Sequence, residues 1–249
     1  MEEYMANQNL IACKGLSKTY GGTVALNAID LSIGKGKIVG LLGPNGSGKT
    51  TLIKIICGLL SASEGEVYID GNEPGRYTKS VISYLPDRNY FADWMKISDM
   101  FAVFKDFYKD FDIEKARAMC ASLGISEKQR IKSMSKGTKE KAQLILVMSR
   151  KSKLYLLDEP IAGVDPAARD FILDTILRNY NEEGTVLIST HLITDIERVL
   201  DEAIFLQNGN IVMHDSVDNI RASRGKGIDE LFREIFRAQP YEGGDYNAR

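Results

Sequence analysis

The residues with the most explicit chemistry are Gly43, Pro44, Asn45, Gly46, Ser47, Gly48, Lys49, Thr50 and Thr51, which lie between an apolar run, Ile38 to Leu42, and a segment with helical apolar spacing, Thr51 to Leu59. The pattern G-x-x-x-x-G-K-[ST] between a strand and a helix is that of a phosphate-binding loop. Glycines at 43, 46 and 48 reach conformations closed to other residues, so consecutive backbone N–H groups converge on an anion. The helix that follows adds its positive end. In that setting Lys49 is expected to reach the β- and γ-phosphates, and the Thr50 hydroxyl to ligate Mg²⁺, a hard cation that prefers oxygen. These residues imply a nucleotide but not what its hydrolysis drives.

A second group lies further along. Leu154 to Leu157 is an apolar strand that ends in Asp158-Glu159-Pro160. The carboxyl end of a parallel strand is where ligands gather in such folds. Asp158 is expected to hold the Mg²⁺ shell, and Glu159, which points elsewhere, to polarise an attacking water as general base. Alone, two acids after a strand make a solvated turn; the phosphate loop upstream favours the catalytic reading. His191 follows the strand Leu187-Ile188-Ser189-Thr190. By itself it is a histidine satisfied at a strand end. The other histidine, His214, lies in a hairpin and reads as structural.

The elements that must position these groups follow from periodicity and turn chemistry. Leu10 to Leu16 and Val24 to Ile33, around Gly21-Gly22, predict an antiparallel β region ahead of the phosphate-loop strand, with further strands at Glu66 to Asp70 and Val81 to Leu85. The texture then turns helical. Ser98 is expected to cap a helix over Asp99 to Lys109, Asp112 to Leu123 is a second helix ending at Gly124, and a third starts near Thr138. Further helices are expected at Pro166 to Tyr180, Leu192 to Leu200 and Ile228 to Arg237, with a strand at Thr185 to Ser189. Ala203 to Leu206 and Ile211 to His214 flank Asn208-Gly209, a hairpin signal. The tail from Pro240 to Arg249 is expected to be disordered. The fold class is therefore α/β: a P-loop NTPase core (1–87 and 151–225) with an antiparallel β region at one edge and an inserted α-helical subdomain (88–150), followed by a short helix and tail (226–249).

The 249 residues suffice for a sizeable core, with 32 Lys and Arg against 34 Asp and Glu and a formal net charge of −2. No dense basic run favours nucleic acid. Cys13, Cys57 and Cys120 are too dispersed for a metal site or disulfide framework. No apolar run approaches the roughly 18–20 residues that span a bilayer, and Met1-Glu2-Glu3 does not begin a signal peptide.

Over about residues 10–225 the chain resembles the ATP-binding subunits of ATP-binding cassette (ABC) transporters, with the motifs in family order. The resemblance implies that Tyr20 stacks on adenine, that Asp87 falls at the Q-loop, and that Ser135-Lys136-Gly137-Thr138 is the signature. Asp158-Glu159 becomes the Walker B acid plus catalytic Glu, Asp165 falls in the D-loop, and His191 is the switch histidine beside the γ-phosphate. ATP and Mg²⁺ are the implied cofactors, with Lys49, Glu159 and His191 catalytic, Tyr20, residues 43–51, Ser135, Gly137 and Asp165 on nucleotide, and Thr50, Asp87 and Asp158 on metal.

Two positions depart from the family. The Q-loop usually offers Gln, where this chain has Asp87; the signature usually reads Leu-Ser-Gly-Gly-Gln, where Lys136 replaces the first Gly. A carboxylate remains a good hard-cation ligand, but it is shorter than Gln and adds charge beside the γ-phosphate. Similar substitutions occur in ABC subunits resembling bacterial drug, bacteriocin and antibiotic-resistance exporters, which points to export. The resemblance implies a transmembrane permease subunit and a second nucleotide-binding chain, identical or paralogous, which supplies Ser135 and Gly137 across a head-to-tail dimer. The location implied is cytoplasmic, on the inner face of the cell membrane. Arg88 to Met95, with Tyr90, Phe91 and Trp94, is expected to meet the permease or to pack the helical insertion onto the core. The rival readings are an importer ATPase, a soluble ABC ATPase acting on nucleic acid or ribosomes, and a non-catalytic ATP-binding module.

Overall fold

The computed structural model describes residues 9–237, apart from the side chains of Ala167, Ala168 and Arg237; Met1-Glu2-Glu3 and the tail from Pro240 lie outside them. Strands β1 (Asn9–Tyr20) and β2 (Thr23–Gly34) pair antiparallel through Gly21 and Gly22, both at positive φ, as a two-residue hairpin turn requires. Next come β3 (Ile38–Leu42), α1 (Lys49–Ile56) and β4 (Glu64–Ile69). β4 pairs with the other side of β1, giving a three-stranded sheet in the order β2-β1-β4.

After α2 (Arg76–Val81) and β5 (Ile82–Leu85), three helices follow without an intervening strand: α3 (Ile97–Phe107), α4 (Ile113–Ser122) and α5 (Lys136–Met148). The chain then alternates through β6 (Leu154–Asp158), α6 (Pro166–Asn179), β7 (Thr185–Thr190) and α7 (Ile193–Ile196). It ends its described part with β8 (Glu202–Gln207), β9 (Asn210–Ser216), α8 (Val217–Arg224) and α9 (Ile228–Arg237). The larger sheet has the order β5-β6-β7-β3-β8-β9 and is parallel except at β9. Every residue of β3, β6 and β7 is buried, which is why Ile38 to Leu42, Leu154 to Leu157 and Val186 to Ile188 are apolar runs rather than alternating ones. Because β3 lies between β7 and β8, their carboxyl ends deliver the phosphate loop, His191 and, one strand further, Asp158 to one rim.

One face of this sheet packs on α1 and the three-stranded sheet through residues such as Leu52, Ile56, Leu156 and Ile204. The other face packs on α6, α7 and α9, with Phe205 against Phe232 and Phe236. Helices α3 to α5 have a separate apolar cluster, including Phe101, Ile131 and Ile145. The joint between these helices and the sheet is polar and buried. Arg150 forks onto Asp110 with two bonds of 3.1 Å, donates to the Ser80 carbonyl at 2.6 Å and to the Ile82 carbonyl, and stacks 3.7 Å from the Tyr108 ring. A guanidinium buried in this way is stable only because every face of it is matched.

Several expected boundaries move. Helix α3 starts at Ile97 rather than after Ser98, because the Asp99 carboxylate accepts from the Lys96 N–H at 2.8 Å and makes Lys96 the cap; the helix ends at Phe107, short of Lys109. Helix α5 starts at Lys136, capped by the Ser135 hydroxyl, which accepts from Thr138 N–H at 3.2 Å. The expected helix from Leu192 to Leu200 is one α-turn followed by a 3₁₀ turn, Glu197–Val199. Helices α2 and α8 were not expected. For α8 the signals were present: Ser216 caps its start, and Gly225 ends it at φ 63°.

Candidate active site

The phosphate loop is shaped by contacts on both sides. Gly46 and Gly48 have φ of 80° and 111°, but Gly43 does not have positive φ. Its requirement is space: a Cβ there would lie 2.3 Å from the Leu206 carbonyl oxygen and 2.6 Å from the Ser47 Oγ. A Cβ at Gly48 would meet the Ala25 carbonyl at 2.6 Å. The Gly209 N–H donates to the Ser47 carbonyl at 2.9 Å, and the Gly209 carbonyl accepts from Asn27 N–H at 2.9 Å. The β8–β9 turn and strand β2 therefore buttress the loop from behind, while Pro44, Asn45 and Gly46 are exposed. Thr51, in the first turn of α1, is half-buried.

Lys49, only 5% exposed, donates from Nζ to the Gly43 carbonyl at 2.8 Å and the Pro44 carbonyl at 3.2 Å. It also lies 3.3 Å from Glu159 Oε1. The other carboxylate oxygen of Glu159, Oε2, is 3.1 Å from His191 Nδ1. Glu159 has φ of 51°, a left-handed backbone that costs a non-glycine residue about 1–2 kcal/mol. It is held there by its N–H, which donates to the carbonyl of Ser189 at 3.1 Å and to its hydroxyl at 3.0 Å. The three residues expected to be catalytic thus form one chain of contacts, ammonium to carboxylate to imidazole.

Asp158 is fully buried behind them. Its Oδ1 accepts from the Ser189 hydroxyl at 2.6 Å and from the Thr50 hydroxyl at 3.1 Å. Burial pushes its pKa up; the two hydroxyls only partly oppose this, and the negative charges of Asp87 and Glu159 add to it. Its Oδ2 has no hydrogen-bond partner among the described residues, nor has the buried Ser47 Oγ. A buried carboxylate oxygen without a donor, beside the Thr50 hydroxyl, is the oxygen set that a hard divalent cation needs, so the site fits Mg²⁺.

The remaining expected residues spread outward. Asp87 follows β5 and lies 3.9 Å from the guanidinium of Arg88, near enough to Asp158 to act on its charge. Tyr20 is half-exposed at the β1–β2 turn, and Lys18 lies 5.2 Å over its ring. Asp165 precedes α6, and its carbonyl accepts from Arg169 N–H at 3.0 Å. Ser135 and Gly137 are exposed at the start of α5; the Ser135 hydroxyl bonds within that first turn to Thr138, and a Cβ at Gly137 would meet nothing within 4 Å. They therefore do not join the cluster around Lys49. Two supporting residues, Ser189 and Gln143, had no motif to announce them, and Ser47 of the phosphate loop adds a structural role to its place in the motif. Ser189 holds both acids, Ser47 carries the turn beneath the loop, and buried Gln143 of α5 donates to the Arg88 carbonyl at 3.3 Å, linking the signature helix to the segment after β5. Only a serine at the end of a buried apolar strand hinted at the first.

A phosphate loop and an adjacent acid pair at the carboxyl rim of a parallel sheet define a P-loop nucleoside triphosphatase. The sequence pattern of the ABC transporter family matches residues 26–162. The ABC transporter ATP-binding protein YtrB of Bacillus subtilis is 32% identical over 241 residues, 96% of this chain and 79% of YtrB. The lantibiotic transport ATP-binding protein SrtF of Streptococcus pyogenes is 28% identical over 225 residues, 90% of this chain and 96% of SrtF. A solved structure described as the ATP binding subunit of an ABC transporter superposes with a TM-score of 0.79 at 27% identity, over 91% of this chain and 99% of that one. The chain belongs to the ABC transporter ATP-binding family: it is an ATPase subunit that powers transport.

Proposed function

We propose that this chain energises an exporter, and that it works as one half of a head-to-tail pair of nucleotide-binding chains attached to a transmembrane permease at the cytoplasmic face of the membrane. The observation that carries the pairing is that the site is in two parts, of which the signature end of α5 is exposed and bonded only within its own first turn. Lys49, Glu159 and His191 gather on one rim, whereas Ser135 and Gly137 present the open end of α5 elsewhere. A second chain brings that helix end, with its N–H groups and hydroxyl, onto the γ-phosphate held by the first.

Within one site, Tyr20 stacks on adenine and the loop N–H groups of residues 43–51 bind the phosphates, with Asp165 at the edge. The incoming γ-phosphate replaces Glu159 as the partner of Lys49, and the freed carboxylate accepts the proton of the attacking water while His191 fixes its orientation. Mg²⁺ would be held by Thr50 and Asp158, with Asp87 as a further oxygen donor, and supplies neutralisation of phosphate charge. The helices between 88 and 150 are the piece that relays this to the permease. A groove of about 660 Å³ beside Asp87, lined by Leu59, Tyr90, Val103 and Phe107, all notably exposed apolar side chains, is the surface for it. No helix among the described residues is long and apolar enough to cross a membrane; on this reading the membrane path is the permease's. Export is supported by the lantibiotic transport relative and by the departures at Asp87 and Lys136.

Glu159→Gln tests the reading. Hydrolysis is expected to fall about 10²–10⁴-fold with ATP binding kept, the range for losing a general base. Light scattering of this variant with ATP is expected to show a dimer. A monomer at high protein concentration would overturn the self-paired arrangement.

A further inference from the structure

Tyr84 belongs to no motif, yet its position ties it to the acid pair. It pairs with Leu156 across the parallel strands β5 and β6. Side chains alternate along a strand, so Leu156 and Asp158 share a face, and Tyr84 shares it with them. A residue diagonal to another on one face is within reach of an aromatic side chain. The apolar cluster on that face contains Leu154 and Leu156, and the Tyr84 ring packs against it. On its other side the ring lines the groove beside Pro86 and Asp87. The hydroxyl oxygen is buried without a hydrogen-bond partner among the described residues, and so is Asp158 Oδ2. One is a donor in need of an acceptor and the other an acceptor in need of a donor. Burial first, and then the charge of Asp158, raises the pKa of the phenol, which keeps its proton and lies within electrostatic reach of that carboxylate.

We propose that Tyr84 is a positioning residue for Asp158: its hydroxyl donates to the carboxylate, through one water or a small rotation of the ring, and fixes the angle at which Asp158 presents oxygen to the cation. A buried hydroxyl in a largely apolar setting is costly unless it is used, and a Phe would fill the same space without that cost. Because the ring is also a wall of the groove, whatever fills the groove bears on the orientation of Asp158.

The inference rests on the assignment of Asp158 to the cation site, and three variants of the full chain separate the two ideas. The readout is binding of a fluorescent ATP analogue, titrated with Mg²⁺ and repeated in EDTA. Tyr84→Phe is expected to raise the Mg²⁺ midpoint about 3–10-fold, to leave affinity in EDTA unchanged, and to leave thermal stability the same or slightly higher. In an Asp158→Asn background the same substitution is expected to add nothing further. An unmoved midpoint in Tyr84→Phe, with a clear shift in Asp158→Asn, overturns the role of Tyr84 alone. A midpoint unmoved in Asp158→Asn overturns the cation assignment as well. A drop in melting temperature, or a shift that persists in the Asn background, makes the hydroxyl a packing group or one that acts elsewhere, and also overturns the proposal.

Discussion

Glu159 holds two partners with its two oxygens and bends its backbone into the left-handed region to do so. Such strain persists where surrounding bonds over-determine it, and here Ser189 supplies them. The neighbouring position Asp87 is less constrained, with 37% of its side chain exposed and a guanidinium 3.9 Å away. On the proposed reading, in which Asp87 offers a further oxygen to the cation beside Asp158, it is expected to lower the Mg²⁺ requirement of hydrolysis. Asp87→Ala should raise that requirement several-fold, while Asp87→Gln should serve with modest loss; wild-type Mg²⁺ dependence in the Ala variant would remove Asp87 from the metal. At this scale the sequence was legible wherever chemistry requires a fixed spacing, as in 43–51 and 158–159. It was silent on Ser189 and Gln143, which act through neighbours brought together only by folding.

Among the elements, the segment joining β3 to α1 is under the tightest steric control. Gly43 and Gly46 look alike in sequence and differ in what restrains them. Gly43→Ala places a methyl 2.3 Å from a backbone carbonyl of β8, so either the loop or the strand must move. We expect a loss of about 1–3 kcal/mol in chemical denaturation, the usual range for overpacking, and at least tenfold weaker ATP binding. Gly46→Ala meets nothing within 4 Å and carries only the strain of φ at 80°. It is expected to cost about 1 kcal/mol and to change binding less. Equal effects of the two would show that the β8 contact does not shape the loop. Elements with an unbroken apolar run, such as β3 and β6, or a sustained apolar period, such as α5, were legible from sequence, whereas α2 has six residues and no apolar stripe. The break in the expected 192–200 helix likewise comes from tertiary packing, with Glu197 turned to accept from the N–H groups of Ile228 and Asp229.

For the whole molecule, the two sheets are fastened at Asp70, where the carboxylate meets Lys35 at 2.9 Å, Lys153 at 2.6 Å and the Tyr77 hydroxyl at 2.6 Å. Burial alone would raise its pKa, but the donations from Lys153, Tyr77 and Lys35 outweigh that and hold it well below the usual carboxylate range. A depressed folded-state pKa gives stability that is complete above the unfolded value of about 4 and is lost as pH falls toward the folded one. Melting temperature should therefore fall below about pH 4 in the native chain and fall less steeply in Asp70→Asn; parallel acid limbs would show that the fastening contributes nothing. The aromatics after Asp87 were ambiguous in sequence because composition does not separate an anchor from a core residue. In the fold Phe91 packs with the helical cluster, while Trp94 is 71% exposed. The buttress of the phosphate loop has a consequence in time. The loop leaves the ribosome early, but the Leu206 carbonyl that bounds Gly43 and the Gly209 amide that holds Ser47 are made long after it. Until that hairpin emerges and docks, the nascent chain carries the motif without the cradle, so the grip on nucleotide is complete only once β8 and β9 have been made.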